Sequence, residues 1–161
     1  MAELLIIYHS RTGGSRQMAE AAFAAAQAEG ATRLVAAEVA DVDDLRQAAG
    51  YLFCGPENLA TLSGAMKEFF DRCYYHALGQ LEGRPYAQMI CAGSDGEGAA
   101  RQLARIATGW RLKEVQPPLI ICTHAQTPEA ILAPKVLTAE QLEPCTELGA
   151  ALAAGLAMGM F

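Results

Sequence analysis

The sequence predicts an α/β fold: a doubly wound, five-stranded parallel sheet in the order 2-1-3-4-5, with helices on both faces to make three layers. Three observations predict it. Short apolar runs alternate with helix-like stretches along the chain. The runs are apolar at nearly every position, as strands covered on both faces must be. The first run opens into a small polar loop that lacks the G-x-G-x-x-G spacing accompanying the rival order 3-2-1-4-5.

The elements follow in order. ELLIIYH at 3–9 is bounded by turn residues and reads as strand 1. Residues 15–29 are rich in alanine, the strongest helix former, and stop at Gly30. TRLVAAEV at 32–39 reads as strand 2, residues 43–49 as a short helix and YLFC at 51–54 as strand 3. Beyond Ser63, a candidate N-cap, Met66, Phe69, Phe70 and Cys73 fall at i, i+3, i+4 and i+7 on one helical face. YAQMICAG at 86–93 is strand 4, and Leu103, Ile106, Ala107 and Trp110 repeat the helical spacing after it. PLIIC at 118–122 is strand 5. Thr138 and Gln141 have capping-box spacing, and Leu142, Cys145, Leu148, Leu152 and Leu156 line one stripe of a last helix. Right-handed crossovers then close the sheet most simply in the stated order. No repeat or linker interrupts the series, so residues 1–161 are expected to form one domain.

Bulk properties exclude several classes. The formal charge is −6 with no cluster of Lys and Arg, which argues against a nucleic-acid partner. No apolar stretch approaches the ~20 residues of a membrane span, and the N-terminus does not read as a signal peptide. Cys54, Cys73, Cys91, Cys122 and Cys145 are an odd set without a C-x-x-C pair, so reduced thiols in a cytoplasmic protein are expected. Neither Cys54 nor Cys91 begins a C-x5-R phosphatase sequence. His9, His76 and His124 have no metal-ligand spacing, and no G-x-S-x-G elbow is present.

The predicted order places its topological switch between strands 1 and 3, where ligands bind outside the carboxyl ends. Three loops reach that rim. Loop 1 carries Ser10, Arg11, Thr12, Gly13, Gly14 and Ser15: three hydroxyls and two glycines at the start of a helix, a composition suited to a phosphate. It is not a P-loop, since no Gly-Lys-Ser/Thr follows, and a single terminal phosphate is expected. Loop 2 carries Pro56, Glu57, Asn58, Leu59 and Ala60. Loop 3 carries Gly93, Ser94, Asp95, Gly96 and Gly98, whose glycines would permit close backbone approach to a flat ligand.

Together these loops resemble the flavodoxin-like superfamily and, within it, the NAD(P)H-dependent FMN reductases and quinone reductases. The resemblance spans nearly the whole chain. It rests on residues 10–15, similar to the S-x-T-G-x-S/T phosphate loop. It rests also on Gly55-Pro56-Glu57-Asn58 with Leu62-Ser63-Gly64-Ala65-Met66-Lys67-Glu68-Phe69-Phe70-Asp71-Arg72, similar to the family's second characteristic segment. The resemblance implies that residues 10–15 hold an FMN phosphate and that loops 2 and 3 flank the isoalloxazine ring. It further implies NAD(P)H as donor, a quinone or free flavin as acceptor, no catalytic side chain, and a short-chain form with strand 5 unsplit by an insertion. Lys67, Asp71 and Arg72 would be surface or packing residues. A flavodoxin-type electron carrier remains the alternative. Loops 2 and 3 offer no aromatic stacker, so either FMN is held more weakly or a second subunit covers it; the resemblance implies dimers, and a homodimer is expected.

Overall fold

In the computed structural model, which describes residues 1–161, the run LLIIY forms strand β1 (Leu4–Tyr8) inside a parallel sheet, with Leu4, Leu5, Ile6 and Ile7 all buried. Successive strand residues point to opposite faces, so a run buried at every position needs a cover on each side. One face is covered by α1 (Gly14–Glu29) and α6 (Ala139–Ala157), the other by α2 (Val42–Gln47), α3 (Gly64–Ala77) and α4 (Glu97–Gly109).

β1 pairs in parallel with β2 (Thr32–Ala36) and with β3 (Gly50–Asn58), and β3 pairs with β5 (Pro85–Ala92). The fifth position is shared by β6 (Lys113–Glu114) and β7 (Leu119–Cys122), which pair with opposite ends of β5. The order is therefore the doubly wound one expected. The fifth strand is nevertheless divided, by residues 115–118. Pro117 and Pro118 fall there and lack the N–H that a ladder needs. A further strand, β4 (Thr61–Leu62), folds back antiparallel on the end of β3. β2 ends at Ala36, earlier than its apolar run, whereas β3 continues past YLFC to Asn58.

The two faces pack differently. Beneath α3 and α4 lies an aromatic cluster, with Phe70 edge-on to both Phe53 and Phe69 and Trp110 stacked on Tyr74. The Trp110 indole N–H donates to the Tyr74 carbonyl at 2.9 Å. On the opposite face α1 buries Met18, Ala19, Ala22 and Ala26, and a Cβ at Gly149 of α6 would strike the backbone of Ala22. The alanine face of α1 and Gly149 thus let two helices approach closely. No helix is long and apolar enough to cross a membrane. The carboxyl ends of β1, β3 and β5 meet at one rim, which positions loops 1, 2 and 3 together.

Candidate functional site

A cleft of about 500 Å³ opens at that rim, within the usual size of small-molecule sites. Loop 1 contributes Ser10, Arg11, Thr12, Gly14 and Ser15 to its lining, loop 2 Pro56, Glu57, Asn58 and Leu59, and loop 3 Gly93 and Ser94. A fourth wall was not anticipated. It comes from the segment after β7, with Thr123, Ala125, Gln126, Ile131, Leu132 and Lys135. The segment holds a short helix, α5 (Pro128–Leu132), capped by the Thr127 hydroxyl, which accepts from the Ala130 N–H at 3.2 Å. Five residues are too few to show a helical period. The Thr-Pro pair, an N-cap followed by proline at the first helical position, was the one signal available.

Loop 1 is built as an open helix start. The Gly13 N–H donates to Ser10 Oγ at 3.0 Å, and Gly13 turns the chain at φ 101° into α1. No side chain caps α1. Ser15, in its first turn, is 2% exposed, yet its hydroxyl has no partner. A buried unsatisfied polar group costs about 1–3 kcal/mol, which a ligand can relieve. A Cβ at Gly14 would stand 2.5 Å from Cys91 Sγ, so glycine lets the loop close onto β5. The Lys135 ammonium donates to Thr12 Oγ1 at 3.3 Å. Uncapped N–H groups at a helix dipole, an orphaned hydroxyl and a nearby cation suit a phosphate group. Gly13 itself faces a separate hollow with Tyr8, Arg16, Glu38 and Pro134.

Loop 2 is a tight hairpin rather than an irregular loop. Asn58 of β3 lies opposite Thr61 of β4, and the two residues between them, Leu59 and Ala60, have φ 52° and 67°. Two positive φ values define a type I′ turn, which Asn-Gly usually fills; here a leucine and an alanine bear the strain. Leu59 is left 98% exposed at the tip, beside the cleft. The Asn58 side-chain amide nitrogen is buried without a partner, a second orphan on the lining.

The Glu57 carboxylate accepts from the N–H of Gly96 at 2.9 Å and of Ala99 at 3.1 Å, so it plugs the start of α4. This ties loop 2 to loop 3 and changes the reading of the loop 3 glycines. A Cβ at Gly96, where φ is 88°, would stand 2.6 Å from Ile120 Cγ2. A Cβ at Gly98 would strike the Ala60 carbonyl. Both glycines serve approaches between parts of the protein. Gly96, Gly98, Asp95 and Ala60 lie outside the lining of the main cleft, as does Gly13.

No aromatic residue lines the cleft; its apolar surface is aliphatic, with Leu59 from loop 2 and Ile131 and Leu132 from α5. Cys91 also lines it, and burial pushes its thiol up to about 11 against the opposing pull of Lys135, so it is protonated at neutral pH. His9 and His124 are not in the lining. His9 Nδ1 lies 2.7 Å from the buried Ser63 hydroxyl and its Nε2 3.4 Å from Glu38. Ser63 does occupy the N-cap position of α3, but its hydroxyl caps no backbone N–H. On α3, Lys67 pairs with Asp71 at 2.6 Å. Arg72 pairs with Glu68 and holds the carbonyls of Ala37 and Ala40 at 3.1 and 2.6 Å. All three stand clear of the cleft. No group of three or more His, Cys, Asp or Glu side chains is placed to hold a metal ion.

A doubly wound sheet with its cleft at the β1/β3 switch defines the flavodoxin-like class. The fold is that of an archaeal flavodoxin (TM-score 0.74, 17% identity, covering 96% of this chain and 99% of that one). It is also that of a flavodoxin, WrbA-like protein from Agrobacterium tumefaciens (TM-score 0.70, 17% identity, covering 98% and 99%). Within that class the chain belongs to the NADPH-dependent FMN reductase family, whose model matches residues 36–126. It is also 34% identical over 113 residues to a flavodoxin of Aquifex aeolicus (strain VF5), covering 65% of this chain. The chain spans 56% of the length of that relative.

Proposed function

We propose that this protein is an FMN-binding oxidoreductase that passes electrons from NAD(P)H through FMN to a quinone or free flavin. The observation that carries the reading is the uncapped start of α1 beside the buried, unpartnered Ser15 hydroxyl. Loop 1 would hold the phosphate. Asn58, with its free amide nitrogen, would donate to an acceptor on the heterocycle edge, and Leu59, Ile131 and Leu132 would give apolar contact to the ring faces. FMN when bound supplies the hydride and electron chemistry, and the protein binds, orients and shields it. No catalytic side chain is required. The family match supports the reductase reading. The five free thiols support a cytoplasmic setting.

A second reading is favoured by one observation, the 34% identity to a protein named flavodoxin: an electron carrier with no substrate reaction of its own. The test is to reconstitute the purified chain with FMN and follow NADH and NADPH consumption with and without a quinone. Consumption supports the reductase. Tight FMN binding without consumption selects the carrier, and no FMN binding rejects both. A homodimer covering the exposed side of the ring is part of the proposal, and light scattering on the reconstituted protein checks it.

A further inference from the structure

We infer that Lys135, from the segment after β7, is the cation of the phosphate site and selects a phosphorylated ligand over the same ligand without its phosphate. This rests on the reading of the cleft as a flavin site and deepens it.

Lys135 is fixed against loop 1 by its backbone. Its N–H donates to the Thr12 carbonyl at 2.8 Å, and its carbonyl accepts from Gln17 Nε2 at 2.7 Å. Gln17 completes the clamp by donating to the Gly13 carbonyl at 2.8 Å and accepting from the Leu137 N–H at 3.0 Å. A Cβ at Gly14 would lie 3.8 Å from the Lys135 Cβ, so the lysine stem starts directly over the first turn of α1. The ammonium now donates to the carbonyls of Ile131 at 2.8 Å and Ala133 at 2.6 Å, and to Thr12 Oγ1 at 3.3 Å. Those three acceptors use its three donors, but all are neutral, and no carboxylate pairs with it.

The charge is therefore parked beside a helix start that is itself uncapped, and Ser15, whose buried hydroxyl has no partner, is among the residues that line the same cleft. A phosphate monoester carries about −1.5 to −2 charge near neutral pH and would draw the ammonium off neutral carbonyls into a charge-assisted hydrogen bond. Only the flexible stem must move. A hydroxyl in place of the phosphate offers no such exchange. Loop 1 has no P-loop lysine of its own, and Lys135 fills that role from a different loop.

The test titrates the apoprotein with FMN and with riboflavin, in the natural chain, Lys135→Met and Lys135→Arg. The expected result is an FMN affinity about tenfold or more lower in Lys135→Met, with riboflavin binding unchanged and Lys135→Arg close to the natural chain. FMN binding should also lose part of its salt dependence in Lys135→Met. In parallel, inorganic phosphate should raise the thermal midpoint of the natural apoprotein more than that of Lys135→Met. Equal FMN affinity in both chains, or parallel loss of FMN and riboflavin, overturns the inference. Should Lys135→Met fail to fold, Lys135→Gln replaces it. Lysine-dependent phosphate binding without FMN binding would reject the flavin reading and leave the lysine assignment standing. Absence of both phosphate and FMN binding by the natural chain would reject the lysine assignment too.

Discussion

The starts of α1 and α4 are built alike and completed differently. Each follows a parallel strand at the same rim. Each is entered through a left-handed glycine, Gly13 at φ 101° and Gly96 at φ 88°, and neither glycine offers a side-chain cap. At α4 the protein supplies its own anion, the Glu57 carboxylate, which takes the N–H of Gly96 and of Ala99. At α1 the neutral Ser10 hydroxyl takes the Gly13 N–H, no carboxylate plugs the first turn, the Ser15 hydroxyl is left unpartnered, and the Lys135 ammonium lies against Thr12 beside it. A helix start is a site for an anion in either case. Whether it is a joint or a binding seat depends on whether the fold has already provided that anion.

The largest effect should come from forcing the α4 joint apart. Gly98→Val puts side-chain atoms against the Ala60 backbone, which cannot rotate away as a side chain could. We expect a loss of about 3 kcal/mol, the upper end for overpacking, read as a lower urea midpoint. Near-natural stability would mean that loop 2 and α4 are not held in contact, and the contrast would collapse.

Next in size is the carboxylate itself. Glu57→Ala leaves the α4 donors bare and should cost about 2 kcal/mol. It also makes α4 resemble α1, which sharpens the comparison: inorganic phosphate should stabilise this variant more than it does the natural chain. An unchanged urea midpoint would show that Glu57 contributes nothing as a plug. Smaller again is Thr12→Val, which keeps the shape of loop 1 and removes one hydroxyl. FMN affinity should fall roughly tenfold, about 1.5 kcal/mol, with the urea midpoint of the apoprotein unmoved. FMN bound equally well by both chains would remove Thr12 from the phosphate seat.

The contrast between the two helix starts was not visible in the sequence, although the sheet that carries them was. β1, β3 and β5 were legible because each is a run of side chains buried on both faces, and α3 because Met66, Phe69, Phe70 and Cys73 share one buried stripe. The Thr138–Gln141 capping box was also legible, since both halves are local. Loops 1, 2 and 3 were placed on one rim by topology alone. The remainder depends on contacts that composition does not encode. A glycine-rich loop looks the same whether its glycines admit a ligand or, as at Gly96 and Gly98, a neighbouring side chain and backbone. Glu57 beside a turn gives no sign that it caps a helix some forty residues later. The type I′ turn at Leu59 and Ala60 carries none of the usual Asn-Gly signal. Lys135 meets Thr12 across a separation of 123 residues, and no local pattern joins them.

A third helix start gives the smallest effect and extends the comparison. At α3 the N-cap residue is a serine, the residue type best suited to cap, yet its hydroxyl is engaged with His9 Nδ1 at 2.7 Å. The Glu38 carboxylate near Nε2 favours the proton on that nitrogen, so we assign Nδ1 as the acceptor of the Ser63 hydroxyl. Burial lowers the His9 pKa below its ordinary value of 6.5; Glu38 opposes that shift and Arg11 adds to it. The positive end of the α3 dipole works in the same direction as burial. The sign follows. Below pH 6.5 the unfolded chain takes up a proton that the folded His9 still refuses, so folding stability is whole above that value and falls as the pH drops through it. Urea midpoints measured on either side of pH 6.5 should therefore decline toward acid in the natural chain, and less steeply in His9→Gln. Other groups titrate in both proteins, so the difference between the two slopes isolates His9. Equal slopes would mean that the imidazole is as easily protonated folded as unfolded. The α3 start would then be indifferent to charge, unlike the starts of α1 and α4.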